Sequence, residues 1–193
     1  NILANIRGVL KSLWPSRDEE VFLSFLPLSH TFERTASYYL SLGLGYTTAF
    51  NRSIANLADD LRTIRPTVLM SVPRVYDMIY GKLRDGLAKK SGAARMIFDW
   101  AVEVGWRRFC RENGLPVESS MRSWLDPFVA GFLDRKVGKL LRSVFGDRID
   151  LYISGGAALN PSVAKVFLAL GVPIYQGYGM TEASPVIAVN AIG

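Results

Sequence analysis

Residues 151–176, LYISGGAALNPSVAKVFLALGVPIYQ, hold two short apolar runs with one helical pattern between them. Each run is too short for a helix and is typical of a buried strand. Between the runs, Asn160-Pro161 is a characteristic helix start and Gly171 a characteristic helix end. A strand, a helix and a strand in this order indicate a parallel sheet with helices packed on it.

The same alternation continues towards the beginning of the chain. Apolar and β-branched runs predict further strands at Val21–Leu26, Tyr46–Phe50 and Thr67–Val72. Helical patterns follow these strands, at Thr31–Leu42, after the capping residue Ser53, and from Pro73 onward. The sequence therefore predicts an α/β fold with a mainly parallel sheet flanked by helices.

The middle of the chain is predicted to be helical. Asp126-Pro127 is a typical cap and first turn, and the apolar stripe from Phe128 to Phe145 is expected to be core. The segment RENGLPVESS, residues 111–120, is predicted to be a loop. Trp100, Trp106 and Phe109, with Arg107 and Arg108 beside them, suit either helix packing or contact with a membrane interface.

Charge and cysteine content restrict the function classes. The 193 residues carry a net charge of +6, which suits an anionic partner such as a nucleotide, a CoA-like molecule or a membrane surface. The basic residues are scattered rather than clustered, which argues against nucleic-acid binding. Cys110 is the single cysteine, so no internal disulfide can form and a cytoplasmic setting is expected, with peripheral contact to the inner face of the membrane as a second option.

Two glycine-rich turns follow the last two predicted strands. SGGAALNP begins at Ser154 and QGYGMTE begins at Gln176. Ligands of parallel α/β sheets bind beyond the carboxyl ends of strands, so we expect the two turns to lie side by side and form a flat pocket. Tyr178 could stack on a planar base there, and Thr181 could bond a phosphate oxygen. Glu182 is then best explained as a ligand of Mg²⁺; the alternative is that both segments are ordinary strand-to-helix turns.

At these residues the sequence resembles the adenylate-forming, AMP-binding acyl-CoA synthetases. YQGYGMTE is similar to that superfamily's Tyr-Gly-x-Thr-Glu motif, and SGGAALNP to its adenine-binding segment. FLPLSHTFER is similar to the histidine motif near the acyl carboxylate. RPTVLMSVPRVYDMIYGKL and the helical segment after it resemble the bacterial long-chain fatty acid:CoA ligase branch.

The resemblance implies a two-step reaction in which ATP and a fatty acid give acyl-AMP with Mg²⁺ present, after which CoA displaces AMP. It implies catalytic roles for Thr181 at the α-phosphate, Glu182 at Mg²⁺ and His30 at the acyl carboxylate. Without the resemblance, His30, the single histidine, is as well explained as a structural or capping residue. The implied nucleotide-binding set is Gly155, Gly156, Ala157, Gln176, Gly177, Tyr178, Gly179, Met180 and Thr181.

The resemblance also implies that residues 1–193 are a central fragment of an N-terminal AMP-binding domain, with a helical insertion at about 84–146. The Ser/Thr/Gly-rich phosphate loop, the ribose-binding aspartate and the C-terminal catalytic lysine find no match, so we expect the piece alone to be inactive. Some family members carry a gating tryptophan four residues after the histidine, where this chain has Arg34.

Two alternatives stay open at this point. One is an adenylate-forming ligase for another carboxylic acid, or one that acylates a carrier protein. The other, from a different class, is a non-catalytic nucleotide-binding or membrane-associated module.

Overall fold

The computed structural model describes residues 1–13, 19–117 and 123–190. Its strands are β1 (Val21–Ser24), β2 (Thr47–Phe50), β3 (Val68–Ser71), β4 (Leu151–Ser154), β5 (Ile174–Gly179) and β6 (Val186–Val189). Its α-helices are α1 (Ile2–Leu13), α2 (Leu40–Leu44), α3 (Leu57–Ile64), α4 (Pro73–Ala88), α5 (Gly92–Glu112), α6 (Asp126–Leu133), α7 (Lys139–Val144) and α8 (Pro161–Ala169). The last part of the predicted loop, 118–120, lies outside the described residues.

The described strands form one sheet in the order β2-β1-β3-β4-β5-β6. All neighbours pair in parallel except β5 and β6, which are antiparallel. The predicted mainly parallel α/β fold is therefore confirmed. β3 and β4 are buried along their whole length, which explains why their sequences are apolar without alternation.

The sheet belongs to the first of two compact units, which comprises Asn1–Pro73, Val144–Leu159 and Ile174–Gly193. On one face, α1 and the helix after β1 pack on a cluster that includes Phe22, Met70 and Ile153. The opposite face carries Tyr152, whose ring meets that of Phe145 edge to face at 5.2 Å. The core thus holds the sheet from both sides, so the ends of its central strands are well fixed.

The predicted helix Thr31–Leu42 is present but is not a regular α-helix. Glu33–Tyr39 forms a π-helical turn, and α2 continues it to Gly45, which closes the helix with φ +72°. Ser53 caps the short 3₁₀ helix Ile54–Asn56 that leads into α3, because its side chain accepts a hydrogen bond from the Asn56 N–H at 3.3 Å.

Two elements at the ends of the described chain pair through a side chain. The amide nitrogen of Asn5 in α1 donates to the carbonyl of Val186 in β6 at 2.6 Å. The Oδ1 atom of Asn5 accepts from the Val186 N–H at 3.2 Å. One asparagine therefore bonds both backbone groups of a strand residue.

The second compact unit is helical and comprises Arg74–Ser143 and Asn160–Pro173. α5 packs against α8, and Gly105 permits this approach because a Cβ there would overlap the carbonyl of Ala169. Trp106 and Phe109 stack at 5.4 Å, and the Lys165 ammonium lies 5.4 Å from the Trp106 ring. These two aromatic residues therefore serve helix packing.

A buried ion pair joins α5 to the start of α6. Arg107 donates from Nε and Nη2 to the two carboxylate oxygens of Asp126, at 2.8 and 2.7 Å, and Arg111 adds a bond at 3.1 Å. The bonds from Arg107 hold the pKa of Asp126 below its ordinary value. Asp126 was predicted to cap a helix; it does begin α6, but its side chain binds the two arginines instead.

The expectation that the stripe from Phe128 to Phe145 is core is wrong in part. Phe128, Phe132 and Leu140 are exposed, while Leu133, Leu141 and Phe145 are buried. The helical period was identified correctly, but period alone cannot tell which apolar face a neighbouring element covers. None of the described helices has the length and apolar character needed to cross a bilayer.

Candidate functional site

The two glycine-rich turns lie side by side, as the sequence predicted. β4 and β5 are neighbours, with Ser154 opposite Gln176. The Gln176 side chain reaches across and accepts a hydrogen bond from the Leu159 N–H at 3.1 Å. Gln176 therefore ties one turn to the other.

A cavity of about 210 Å³ opens at the carboxyl ends of these strands. Of the predicted site residues, those that line it are His30, Gly156, Gly177, Tyr178, Gly179, Met180 and Thr181. Its apolar wall includes Phe32, Met70, Ile153 and Val186. The other predicted site residues do not line this cavity: Gly155, Ala157, Gln176 and Glu182. The cavity is therefore lined by polar residues on one part and by this apolar wall on another.

The histidine motif and the Thr-Glu turn meet at this cavity although they are far apart in sequence. The Thr31 hydroxyl donates to the Thr181 hydroxyl at 3.4 Å. His30 accepts a hydrogen bond at Nδ1 from the Phe32 N–H at 3.2 Å, so the neutral imidazole carries its proton on Nε2. His30 is exposed and can offer that N–H to a ligand in the cavity. Thr31 was not predicted from the sequence, where its only signal is its position next to His30.

The glycines of the two turns are required for different reasons. A Cβ on Gly155 would press against the ring of Phe32, at 3.0 Å from its nearest atom. Gly156 has φ +82°, a conformation that favours glycine. A Cβ on Gly179 would collide with the carbonyl of Pro185, and neither Gly177 nor Gly179 has a positive φ. Gly179 is therefore needed for the close approach of β6, a reason that differs from the expected approach to a ligand.

Gly179→Ala is expected to destabilise the protein by roughly 1–3 kcal/mol, because β6 must move away from β5 to admit the methyl group. Gly177→Ala is the matched control: its Cβ would lie 3.7 Å from Val189, an ordinary contact. Urea unfolding of both variants measures the difference in free energy. Equal losses in the two variants would contradict the proposed collision.

Glu182 faces a second groove in the same unit, between α1 and β6, and is exposed. Among the described residues no group of three or more histidine, cysteine or acidic side chains could hold a metal ion. A single carboxylate still fits Mg²⁺, which proteins commonly hold through one or two carboxylates together with substrate phosphates and water. Glu182 follows Thr181 directly in the chain, but the two residues line different cavities.

Glu33 is a buried acid beside the cavity wall that the sequence analysis missed. It follows Phe32, is fully buried, and neither carboxylate oxygen has a partner at full hydrogen-bonding geometry. Burial raises the pKa of Glu33 from 4.5 to about 7, and the hydroxyls of Ser24 and Ser37 offset part of the rise. Glu33 stands between Phe32 and Arg34, and nothing in this local sequence marks it as buried.

Glu33→Gln is expected to change how stability depends on pH. In the wild type the unfolded chain loses the proton of Glu33 above about 4.5, whereas the native protein keeps it up to about 7. The free energy of unfolding therefore falls as pH rises through this window, by roughly 3 kcal/mol. Glutamine does not ionise, so this decline is absent in the variant. The free energy of unfolding of the variant, measured in urea, should therefore rise relative to that of the wild type between pH 5 and pH 8. The same difference at both pH values would show that Glu33 ionises normally.

Known proteins resemble this chain over nearly its whole length. The model of the AMP-binding enzyme family matches residues 1–192. The chain is 30% identical to the peroxisomal long chain acyl-CoA synthetase 6 of Arabidopsis thaliana, over 97% of this chain and 25% of that protein. It is also 30% identical to the long-chain-fatty-acid–CoA ligase FadD15 of Mycobacterium bovis, over 98% of this chain and 30% of that one. The chain thus spans between a quarter and a third of these relatives.

Solved structures share the fold. A long-chain-fatty-acid-CoA ligase (FadD1) from Archaeoglobus fulgidus superposes with a TM-score of 0.58 at 14% identity, covering 99% of this chain and 29% of that one. The A domain of a carboxylic acid reductase from Segniliparus rugosus, solved with AMP and a carboxylic acid, gives 0.53 at 24% identity, covering 88% of this chain and 22% of that one.

Proposed function

Because this chain belongs to the AMP-binding enzyme family, we propose that it forms the central part of the adenylate-forming site of a long-chain fatty acid:CoA ligase. In the first step of the reaction, a fatty acid carboxylate attacks the α-phosphorus of ATP, giving the acyl-AMP anhydride and releasing pyrophosphate. In the second, the thiol of CoA attacks the acyl carbonyl, forming the thioester and releasing AMP.

The observation that carries the proposal is the cavity at the carboxyl ends of β4 and β5. Both His30 and Thr181 line it, and Thr31, which follows His30, bonds Thr181, so the proposed carboxylate and phosphate contacts share one cavity, as a reaction between these two groups requires. Its apolar wall suits the alkyl part of the acid, and Tyr178, exposed at the rim, offers a ring face to the adenine. The identity with long-chain ligases supports the choice of acid.

Each residue has a proposed role within that arrangement. Thr181 donates its hydroxyl proton to an α-phosphate oxygen, and His30 donates from Nε2 to the fatty acid carboxylate to orient it for attack. Gly156 and Gly177 leave room at the backbone for the base. Bound Mg²⁺ neutralises phosphate charge and polarises phosphoryl oxygens, and Glu182 would hold it.

The site is proposed to be completed by the rest of a longer protein. The cavity of about 210 Å³ is smaller than the roughly 300–1,000 Å³ of typical small-molecule sites. The groups that neutralise pyrophosphate and bring CoA to the acyl-AMP have no match in the sequence. We therefore expect that residues 1–193 alone form no thioester from ATP, oleate and CoA.

The test of this function is an assay of the full-length protein with ATP, CoA and a series of carboxylic acids. Pyrophosphate release should depend on a long-chain fatty acid and exceed that with acetate, benzoate or medium-chain acids, and CoA should be converted to the thioester. Preference for an aryl acid would show that the substrate is not a long-chain fatty acid, while the proposed adenylation reaction would still hold. Absence of any acid-dependent pyrophosphate release would overturn the proposal.

Tyr178→Ala is expected to weaken ATP binding by roughly 1–3 kcal/mol, the range found when a base loses its stacking partner. Tyr178→Phe is the control, because the ring face remains. Calorimetric titration of the full-length variants with ATP, and separately with fatty acid, measures both affinities. Fatty acid affinity should barely change, and ATP affinity equal to that of the wild type in Tyr178→Ala would show that the base does not stack there.

A further inference from the structure

Thr31 brings a second hydroxyl to the cavity, beside that of Thr181. Its side chain is half-buried, lines the cavity and donates to the Thr181 hydroxyl at 3.4 Å. This separation is longer than the usual value of about 2.7–2.8 Å between two hydroxyl oxygens. Hydrogen bonds in active sites are often long without substrate and shorten in the complex. A phosphate bound at Thr181 is therefore expected to draw the two hydroxyls closer.

The backbone holds both threonines in place but leaves the direction of the Thr181 proton open. Phe32, which follows Thr31, is buried, so the start of this helix is anchored in the core. The carbonyl of Thr181 accepts from the Ser184 N–H at 3.2 Å, which fixes the turn. A hydroxyl proton still rotates about its C–O bond. The direction of the Thr181 proton therefore depends on the groups that its oxygen meets.

We propose that Thr31 is a positioning residue that aims the Thr181 hydroxyl proton at the nucleotide phosphate. A hydroxyl has one proton and two lone pairs. Because one lone pair of the Thr181 oxygen accepts from Thr31, the Thr181 proton points away from Thr31 and remains available to a phosphate oxygen. The accepted bond also polarises the Thr181 hydroxyl and makes it a stronger donor. No proton is transferred, and the inference rests on the proposed phosphate contact of Thr181.

The experiment is a double-mutant cycle on ATP affinity, measured by calorimetric titration of the full-length protein. Thr31→Val keeps the shape of the side chain without its hydroxyl and should weaken ATP binding by about three- to tenfold. Thr31→Ser keeps the hydroxyl and should bind ATP like the wild type. In the Thr181→Val background, Thr31→Val should change ATP affinity by less than about twofold, because no Thr181 proton remains to be aimed.

Two controls separate this role from a general loss of structure. Thr63→Val makes the same change at an exposed threonine of α3 and should bind ATP like the wild type. Fatty acid affinity without nucleotide should be unchanged in Thr31→Val, whereas a distorted cavity would lower it as well. If Thr31→Val fails to fold by circular dichroism, Thr31→Ala takes its place in the cycle.

The proposal is overturned if Thr31→Val binds ATP like the wild type, if its effect is the same with and without the Thr181 hydroxyl, or if Thr31→Ser does not restore affinity. Acid-dependent pyrophosphate release tests the proposed function separately. A protein that adenylates fatty acid but shows additive effects in the cycle keeps that function and loses the role of Thr31. A protein that shows the coupling but releases no pyrophosphate keeps the role of Thr31 and loses the function. A wild type that binds no ATP loses both.

Discussion

Replacing Glu182 by glutamine is expected to slow acyl-AMP formation in the full-length enzyme by about 10²-fold or more, because the amide cannot hold Mg²⁺ as the carboxylate does. Stability should be nearly unchanged, since Glu182 is exposed. Pyrophosphate release under saturating ATP and fatty acid measures the effect, and raised Mg²⁺ should recover part of it.

Glu19→Gln is the control for that variant, because it removes the same charge from another exposed residue of the chain. Its rate should equal that of the wild type. If Glu182→Gln also releases pyrophosphate at the wild-type rate, Glu182 has no part in the site.

Asp126→Asn is expected to cost about 3–5 kcal/mol of the free energy of unfolding, because it leaves the buried Arg107 guanidinium without its counter-charge. Asp59→Asn is the matched control. Asp59 meets Arg62 at 4.0 Å on the exposed side of α3, where a pair contributes roughly 0.5 kcal/mol or less. Urea unfolding at neutral pH measures both.

Acid should reproduce part of the Asp126 effect in the wild type. The hydrogen bonds from Arg107 lower the native pKa of Asp126 below its ordinary 3.8. The stability that ionised Asp126 contributes is therefore complete above about pH 4. It is lost as the pH falls through the lowered pKa that Asp126 has in the native protein. Replacing Arg107 by Met together with Asp126 by Leu should cost less than Asp126→Asn alone, because no buried charge is stranded. A larger loss in the double variant would show that the pair contributes more than its desolvation removes.

The parallel strands of the core were predictable because the evidence for each strand lies within its own few residues. β3 and β4 are buried on both faces, so they read as apolar runs, and glycine or proline marks their ends. The neighbouring position of the two turns follows from strands joined by one short helix. The meeting of Thr31 with Thr181 was not predictable in the same way, because it depends on the strand order, which no local pattern encodes.

The predictions that were wrong concern which faces are covered. Phe128 and Leu133 look alike in a helical pattern, yet only Leu133 is buried. The partner that decides this is another element, distant in sequence. The same reason explains Asp126, whose position suits a cap but whose arginine partners lie on α5. The π-helical turn at Glu33 has no known sequence signature, and a buried acid contradicts the composition rules from which a prediction begins.

The bond between Asn5 and Val186 has a consequence for the solubility of the molecule. β6 ends the described sheet, and an edge strand with free backbone groups can recruit a strand from another molecule. Ile187 and Ala188 are exposed on it, which makes such recruitment more favourable. The amide of Asn5 occupies both groups of Val186 that an incoming strand would use. Helix α1 therefore covers this part of the edge, and a strand can pair with Val186 only after α1 detaches.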